Sequence, residues 1–150
     1  MQPSLPWTGR CLCGQIHFEV SAPPILTVAC HCRGCQRLTA SAFSLSAAIP
    51  AEGFAVTRGE PVIGALHGPN RHYFCPHCMS WLFTRPHGMD WFVNVRPTIF
   101  DEGQACTPFV ETMTAEKLPW ATTPAVHSFT GFPPDDAYEG LMKEYAGQAG

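Results

Sequence analysis

The sequence predicts a mainly β domain closed by one short C-terminal helix, and three observations point that way. Several short segments alternate apolar and polar residues with the period of two that a half-buried strand requires. Fifteen prolines and thirteen glycines in 150 residues interrupt the chain too often for long helices. Only beyond Pro133-Pro134 do apolar residues fall at helical spacing. With 45% hydrophobic and 11% aromatic residues, the chain can bury one ordinary core.

Taken in order, residues 1–8 read as an N-terminal tail and 9–147 as a single domain. GQIHFEV (14–20) sets Ile16, Phe18 and Val20 against Gln15, His17 and Glu19, one buried face against one exposed. Further strands are expected in AFSLSAAI (42–49), FAVTRG (54–59), VIGALH (62–67), HYFC (72–75), WLFTR (81–85) and DWFVNV (90–95), each bounded by Gly or Pro signals. Residues 97–131 carry little periodicity and read as an ordered, irregular return path. Pro133-Pro134-Asp135-Asp136 then opens a helix with Tyr138, Leu141, Met142 and Tyr145 on one face. Phe43, Phe74, Trp81, Trp91 and Phe92 read as core.

The net charge is -3, and the nine basic residues are scattered from Arg10 to Lys143 without forming a run. Phosphate binding needs concentrated positive charge, so nucleic acid is not an expected partner. MQPSLPWTGR holds no apolar stretch resembling a signal peptide, and no later segment has the length of a membrane span. A cytoplasmic location is therefore expected, where cysteines serve as metal ligands or catalytic thiols more readily than as disulfides.

Seven of the eight cysteines fall into three groups: Cys11-Leu12-Cys13, Cys30-His31-Cys32-Arg33-Gly34-Cys35 and Cys75-Pro76-His77-Cys78. A Cys-x-x-Cys turn aims two thiolates at one ion, and zinc takes four such ligands tetrahedrally. Cys75 and Cys78 form such a knuckle, and Cys11 and Cys13 are its natural partners in a closed, structural zinc site. That leaves Cys30, Cys32 and Cys35 on one tight turn. Three protein ligands keep a fourth position open, as a reactive zinc requires. Three thiolates give the site a net negative charge and favour a soft fourth ligand, so a substrate thiol is the expected partner. A fourth protein ligand such as His31 would instead make it a second structural site. Cys106 reads as a small core residue, and His77 as exposed.

The pattern resembles the glutathione-dependent formaldehyde-activating enzymes and their relatives, whose domain also occurs in the centromere protein V group. CLCGQIHFEV is similar to that family's opening Cys-x-Cys-Gly strand, CHCRGCQRLTASAFS to its Cys-x-Cys-x-x-Cys segment, and RHYFCPHC to the second half of its structural zinc site. KLPWA (117–121) and HSF (127–129) extend the likeness over roughly residues 9–145. The resemblance implies a zinc-binding β-tent fold of stacked antiparallel sheets. It implies a structural zinc on Cys11, Cys13, Cys75 and Cys78, and a catalytic zinc, less fully occupied, on Cys30, Cys32 and Cys35. The implied activity is that of a carbon-sulfur lyase forming or cleaving S-hydroxymethylglutathione or a related thiol conjugate. Where the family often has glycine, this chain has Met79 after the knuckle and Ala40 before Ser41, and Met79 calls for a slightly different turn.

In this reading Arg33 and Arg37 receive a carboxylate of a glutathione-like thiol, and His31 either relays a proton or faces solvent. Two other classes fit parts of the pattern. A non-catalytic zinc module that binds a partner needs no open coordination position. A methionine sulfoxide reductase-like enzyme makes Cys106 the residue to test and leaves the cysteine triplet without a role.

Overall fold

The computed structural model describes residues 3–65 and 68–149. In chain order these form strands β1 (Trp7–Arg10), β2 (His17–Val20) and β3 (Leu26–Cys30), helix α1 (Arg33–Thr39), and strands β4 (Ser44–Pro50), β5 (Phe54–Arg58), β6 (Val62–Ala65), β7 (Arg71–Phe74), β8 (Trp81–Arg85) and β9 (Phe92–Val95). Strands β10 (Val110–Thr112) and β11 (His127–Ser128) follow, and helix α2 (Tyr138–Ala149) closes the described chain. The mainly β class and the C-terminal helix are as expected. The chain groups into two compact units, one of residues 25–46 and 107–149, the other of residues 3–24 and 47–106.

In the second unit, β1, β2 and β5 form an antiparallel sheet in the order β1-β2-β5. Residues 47–50 of β4 pair with β9, and β9, β8, β7 and β6 follow one another as antiparallel neighbours. The alternation read in 14–20 does its work here: Ile16, Phe18 and Val20 are buried and pack with Trp7, Phe54, Leu82, Phe83, Val93 and Val95. Phe83 meets Phe18 edge-on at 6.2 Å and Phe54 at 4.9 Å, so the two sheets of this unit stack face to face. Each such fully buried side chain contributes about 1.5–3 kcal/mol. Trp7 is only 1% exposed and opens β1, so the boundary expected at residue 8 falls inside a strand. Trp91, expected in the core, is 56% exposed. Leu66 and His67 of the expected VIGALH strand lie outside the described residues.

The first unit departs most from expectation. Strand β10 runs parallel to β3, with Thr112 opposite Cys30, and parallel to β11 on its other side. These parallel pairs add a mixed arrangement to the antiparallel one expected. Neither β3 nor β10 alternates, because strands covered on both sides read as continuous runs: Leu26, Thr27 and Ala29 are buried, as are all three residues of β10. Leu26, Phe109 and Val110 pack against Leu141 and Tyr145 of α2, one helical turn apart, as the spacing predicts. The return path 97–131 is ordered and largely irregular, but it contains β10 and β11.

Candidate metal centres

The Sγ atoms of Cys11, Cys13, Cys75 and Cys78 lie within 4.8 Å of one another, all in the second unit. Cys11 follows β1, and Cys75 follows β7 at the start of the turn into β8. Cys11 to Cys13 is 3.5 Å and Cys13 to Cys75 is 3.7 Å. A tetrahedral ion with metal–sulfur bonds of about 2.3 Å separates its ligands by about 3.8 Å, a spacing these two pairs already approach. All eight cysteines are free thiols. Amide hydrogens point at the sulfurs, from Ile16 to Cys11 at 3.4 Å and from Cys78 to Cys75 at 3.5 Å. The Ser80 hydroxyl lies 3.1 Å from Cys78 Sγ. Burial opposes ionisation of Cys78, but hydrogen bonds from the Ser80 hydroxyl and backbone hold its pKa down at about 5. His77 is exposed, as expected.

The Sγ atoms of Cys30, Cys32 and Cys35 likewise lie within 4.8 Å of one another, in the first unit. The segment is not the isolated tight turn expected. Cys30 ends β3, Cys32 caps α1 by accepting the Cys35 amide at 3.2 Å, and Cys35 sits in the first turn of the helix. A strand end and a helix start thus supply the three sulfurs. Hydrogen bonding from Cys35 holds the Cys30 thiol down at about 5 against its burial, while burial pushes Cys32 up and the Cys30 partnership pushes Cys35 up. Cys35 is buried, and Cys30 and Cys32 are partly exposed.

His31 is neither solvent-facing nor a fourth member of this cluster. It is fully buried, its ring stands edge-on to Phe43 at 5.4 Å, and its Nε2 lies 2.8 Å from Glu111 Oε1 on β10. The Nδ1 atom has no hydrogen-bond partner among the described residues. Glu111 also accepts from Ser128 at 2.6 Å and Thr123 at 3.2 Å, with Lys117 Nζ 3.9 Å away. Burial alone raises a carboxyl's pKa, but Ser128, His31, Lys117 and Thr123 together hold that of Glu111 below the ordinary value. Glu111 was not anticipated from the sequence; the only signal is one acidic residue inside the short run FVET.

Arg33 and Arg37 are exposed on α1 and, with Gln36, Ser41, Leu118 and Trp120, line an open groove of about 500 Å³. Trp120, within the KLPWA segment, is 73% exposed there. Cys106 is buried in the core of the second unit, and burial pushes its thiol up to about 11. An inaccessible, protonated thiol is poorly suited to serve as the distal cysteine of a sulfoxide reductase.

Comparison with known proteins agrees with this arrangement. The family model described as glutathione-dependent formaldehyde-activating enzyme matches residues 6–116, which include all seven clustered cysteines. The chain belongs to the glutathione-dependent formaldehyde-activating enzyme family. The match ends before KLPWA and HSF, so that part of the likeness lies outside the matched residues. No curated protein matches the chain. A crystal structure of a Rhodobacter sphaeroides protein is similar at 20% identity with a TM-score of 0.53, covering 63% of this chain and 87% of that one, which supports the fold. At the two positions where the family often has glycine, Ala40 has φ 49° and Met79 has φ 60°. Both residues thus hold a left-handed turn without the conformational freedom of glycine. No helix among the described residues is long and apolar enough to cross a membrane.

Proposed function

We propose that the protein is a zinc-dependent carbon-sulfur lyase-like enzyme that forms or cleaves a small thiol adduct, S-hydroxymethylglutathione or a close relative. The observation that carries this reading is the count and placement of sulfurs in the first unit: three converge where four would close the site. Cys11, Cys13, Cys75 and Cys78 would hold a structural zinc; Cys30, Cys32 and Cys35 would hold the reactive one. A zinc bound there supplies an open, soft coordination position that lowers the pKa of an incoming thiol.

The chain's own residues then bind and orient. Arg33, within the triplet segment, and Arg37, one turn further along α1, line the groove and provide cationic partners for the carboxylates of a tripeptide-like thiol, and Trp120 offers an apolar wall. Holding the thiol sulfur and an aldehyde carbon together turns a bimolecular encounter into a positioned one. In the forward direction the sulfur forms a bond to the aldehyde carbon, the carbonyl electron pair moves to oxygen, and that oxygen takes up the proton equivalent to the one the thiol gave up. The fully buried His31 is placed to support the segment rather than to exchange protons with bulk solvent.

The test is exchange spectroscopy on carbon-13 formaldehyde mixed with glutathione, which interconverts slowly without a catalyst. The native protein is expected to accelerate exchange between free and adduct carbon, and Cys32→Ser to return it to the uncatalysed rate. Native protein that leaves the exchange rate unchanged for glutathione and for other small thiols contradicts the proposal.

A further inference from the structure

We propose that Glu111 is a positioning residue for the Cys30/Cys32/Cys35 cluster, holding His31 so that the thiols on either side of it stand at metal-binding separation. The inference rests on the reading that this cluster holds a metal ion. His31 is the residue between Cys30 and Cys32, and it is gripped at three points. Its backbone amide donates to the Thr112 carbonyl at 3.0 Å, its carbonyl accepts the Gln36 side-chain amide at 2.8 Å, and its Nε2 meets Glu111 Oε1 at 2.8 Å. The same Gln36 amide reaches the Glu116 carbonyl at 3.0 Å, which ties α1 to the segment after β10. The main chain linking the two cysteines is therefore fixed on both sides.

The direction of control follows from the partners of the carboxylate. Ser128 at 2.6 Å, Thr123 at 3.2 Å and Lys117 at 3.9 Å place Glu111 without any help from the histidine. The ring has no such independence: it is 0% exposed, and Nδ1 has no hydrogen-bond partner among the described residues. With the carboxylate removed, a buried imidazole would have neither nitrogen bonded, a costly state relieved only by swinging the ring or admitting water. Swinging the ring pulls on the chain between Cys30 and Cys32, and an admitted water holds it less firmly than the anchored carboxylate does. A buried charged network of this kind is weak evidence for stability in itself. Holding ligand-bearing backbone in register is the role that fits its location, as groups beyond the ligands do in metal sites generally.

The four-cysteine cluster is an internal control, because the hydrogen-bond and ion-pair partners of Glu111 are His31, Lys117, Thr123 and Ser128. The experiment loads the full-length reduced protein with cobalt(II), follows its thiolate charge-transfer and d–d absorption, and competes both ions against a chromophoric chelator. Glu111→Ala is expected to weaken the site that Cys32→Ser abolishes by about tenfold or more and to alter its d–d band, leaving the other site at native affinity, and a loss at the other site instead overturns the inference. Glu111→Gln keeps an oxygen facing Nε2 and is expected to restore affinity to within about threefold of native. A folded Glu111→Ala protein that binds both ions with native affinity and spectrum overturns the inference. If that variant does not fold, Ser128→Ala replaces it, with a loss of about threefold at the same site expected and native affinity overturning the inference. Cobalt uptake that is unchanged by Cys32→Ser overturns the metal reading of the triplet, and this inference with it.

Discussion

In the proposed function the two cysteine clusters use the same side chain for opposite purposes, and sequence separation explains the difference. Cys13 and Cys75 meet from positions 62 residues apart, so an ion there closes a long loop and joins β1 and β2 to the β7–β8 turn. Closing a long loop restricts the unfolded chain, and binding free energy becomes folding free energy. Cys30, Cys32 and Cys35 lie within six consecutive residues and close no loop of consequence. An ion there adds little to the fold and is free to spend its fourth position on a substrate. In the proposed function, stability resides in the first cluster and chemistry in the second.

Breaking the first cluster is expected to have the largest effect. Cys75→Ser should cost on the order of 5 kcal/mol, enough to unfold the second unit near ambient temperature. Thermal unfolding followed by circular dichroism, with and without zinc, checks this. Cys32→Ser should do the reverse: thiol-adduct exchange falls to background while stability changes by less than about 1 kcal/mol, because serine is itself a good N-cap for α1. Unfolding and exchange measured on one preparation separate the two effects.

Smaller effects sharpen the same division. Ala40 (φ 49°) and Met79 (φ 60°) each hold a left-handed conformation beside one of the clusters. Ala40→Gly and Met79→Gly should each raise stability by about 0.5–1 kcal/mol, since the relief of strain exceeds the added backbone entropy of glycine. Denaturant midpoints measure both. The smallest effect concerns pH. Glu111 has its pKa depressed in the folded chain, so its stabilisation is fully present above its ordinary value of 4.5 and is lost as pH falls through the lower folded value. Glu111→Gln should therefore flatten the acid limb of a stability–pH curve by lowering stability at neutral pH toward the acid value, which itself stays nearly unchanged.

Both clusters were legible in the sequence because ligand spacing is a local property. The alternating face of residues 14–20 and the α2 face at Leu141 and Tyr145 also needed only local pattern, while the pairing of Cys11 and Cys13 with Cys75 and Cys78, across the 62 positions from Cys13 to Cys75, followed from counting four ligands per zinc. What was not legible depends on contacts distant in sequence. The parallel pairing of β3 with β10 joins residues some eighty positions apart, and strands covered on both sides show no alternation to reveal them. His31 consequently read as solvent-facing or a proton relay, when its partner Glu111 lay in a stretch that looked irregular. The α1 helix was hidden for another reason: seven residues beginning at a cysteine cap carry none of the usual start signals.

The central claim is that the triplet is an open, thiol-accepting metal site and the four-cysteine cluster a closed one. The most direct measurement is zinc per chain under reducing conditions for the native protein and Cys32→Ser, each challenged with a chelator in the presence and absence of glutathione. Two ions are expected in the native protein and one in the variant, with glutathione slowing loss of only the ion that the variant lacks. One tightly held ion in both proteins, indifferent to glutathione, would contradict it.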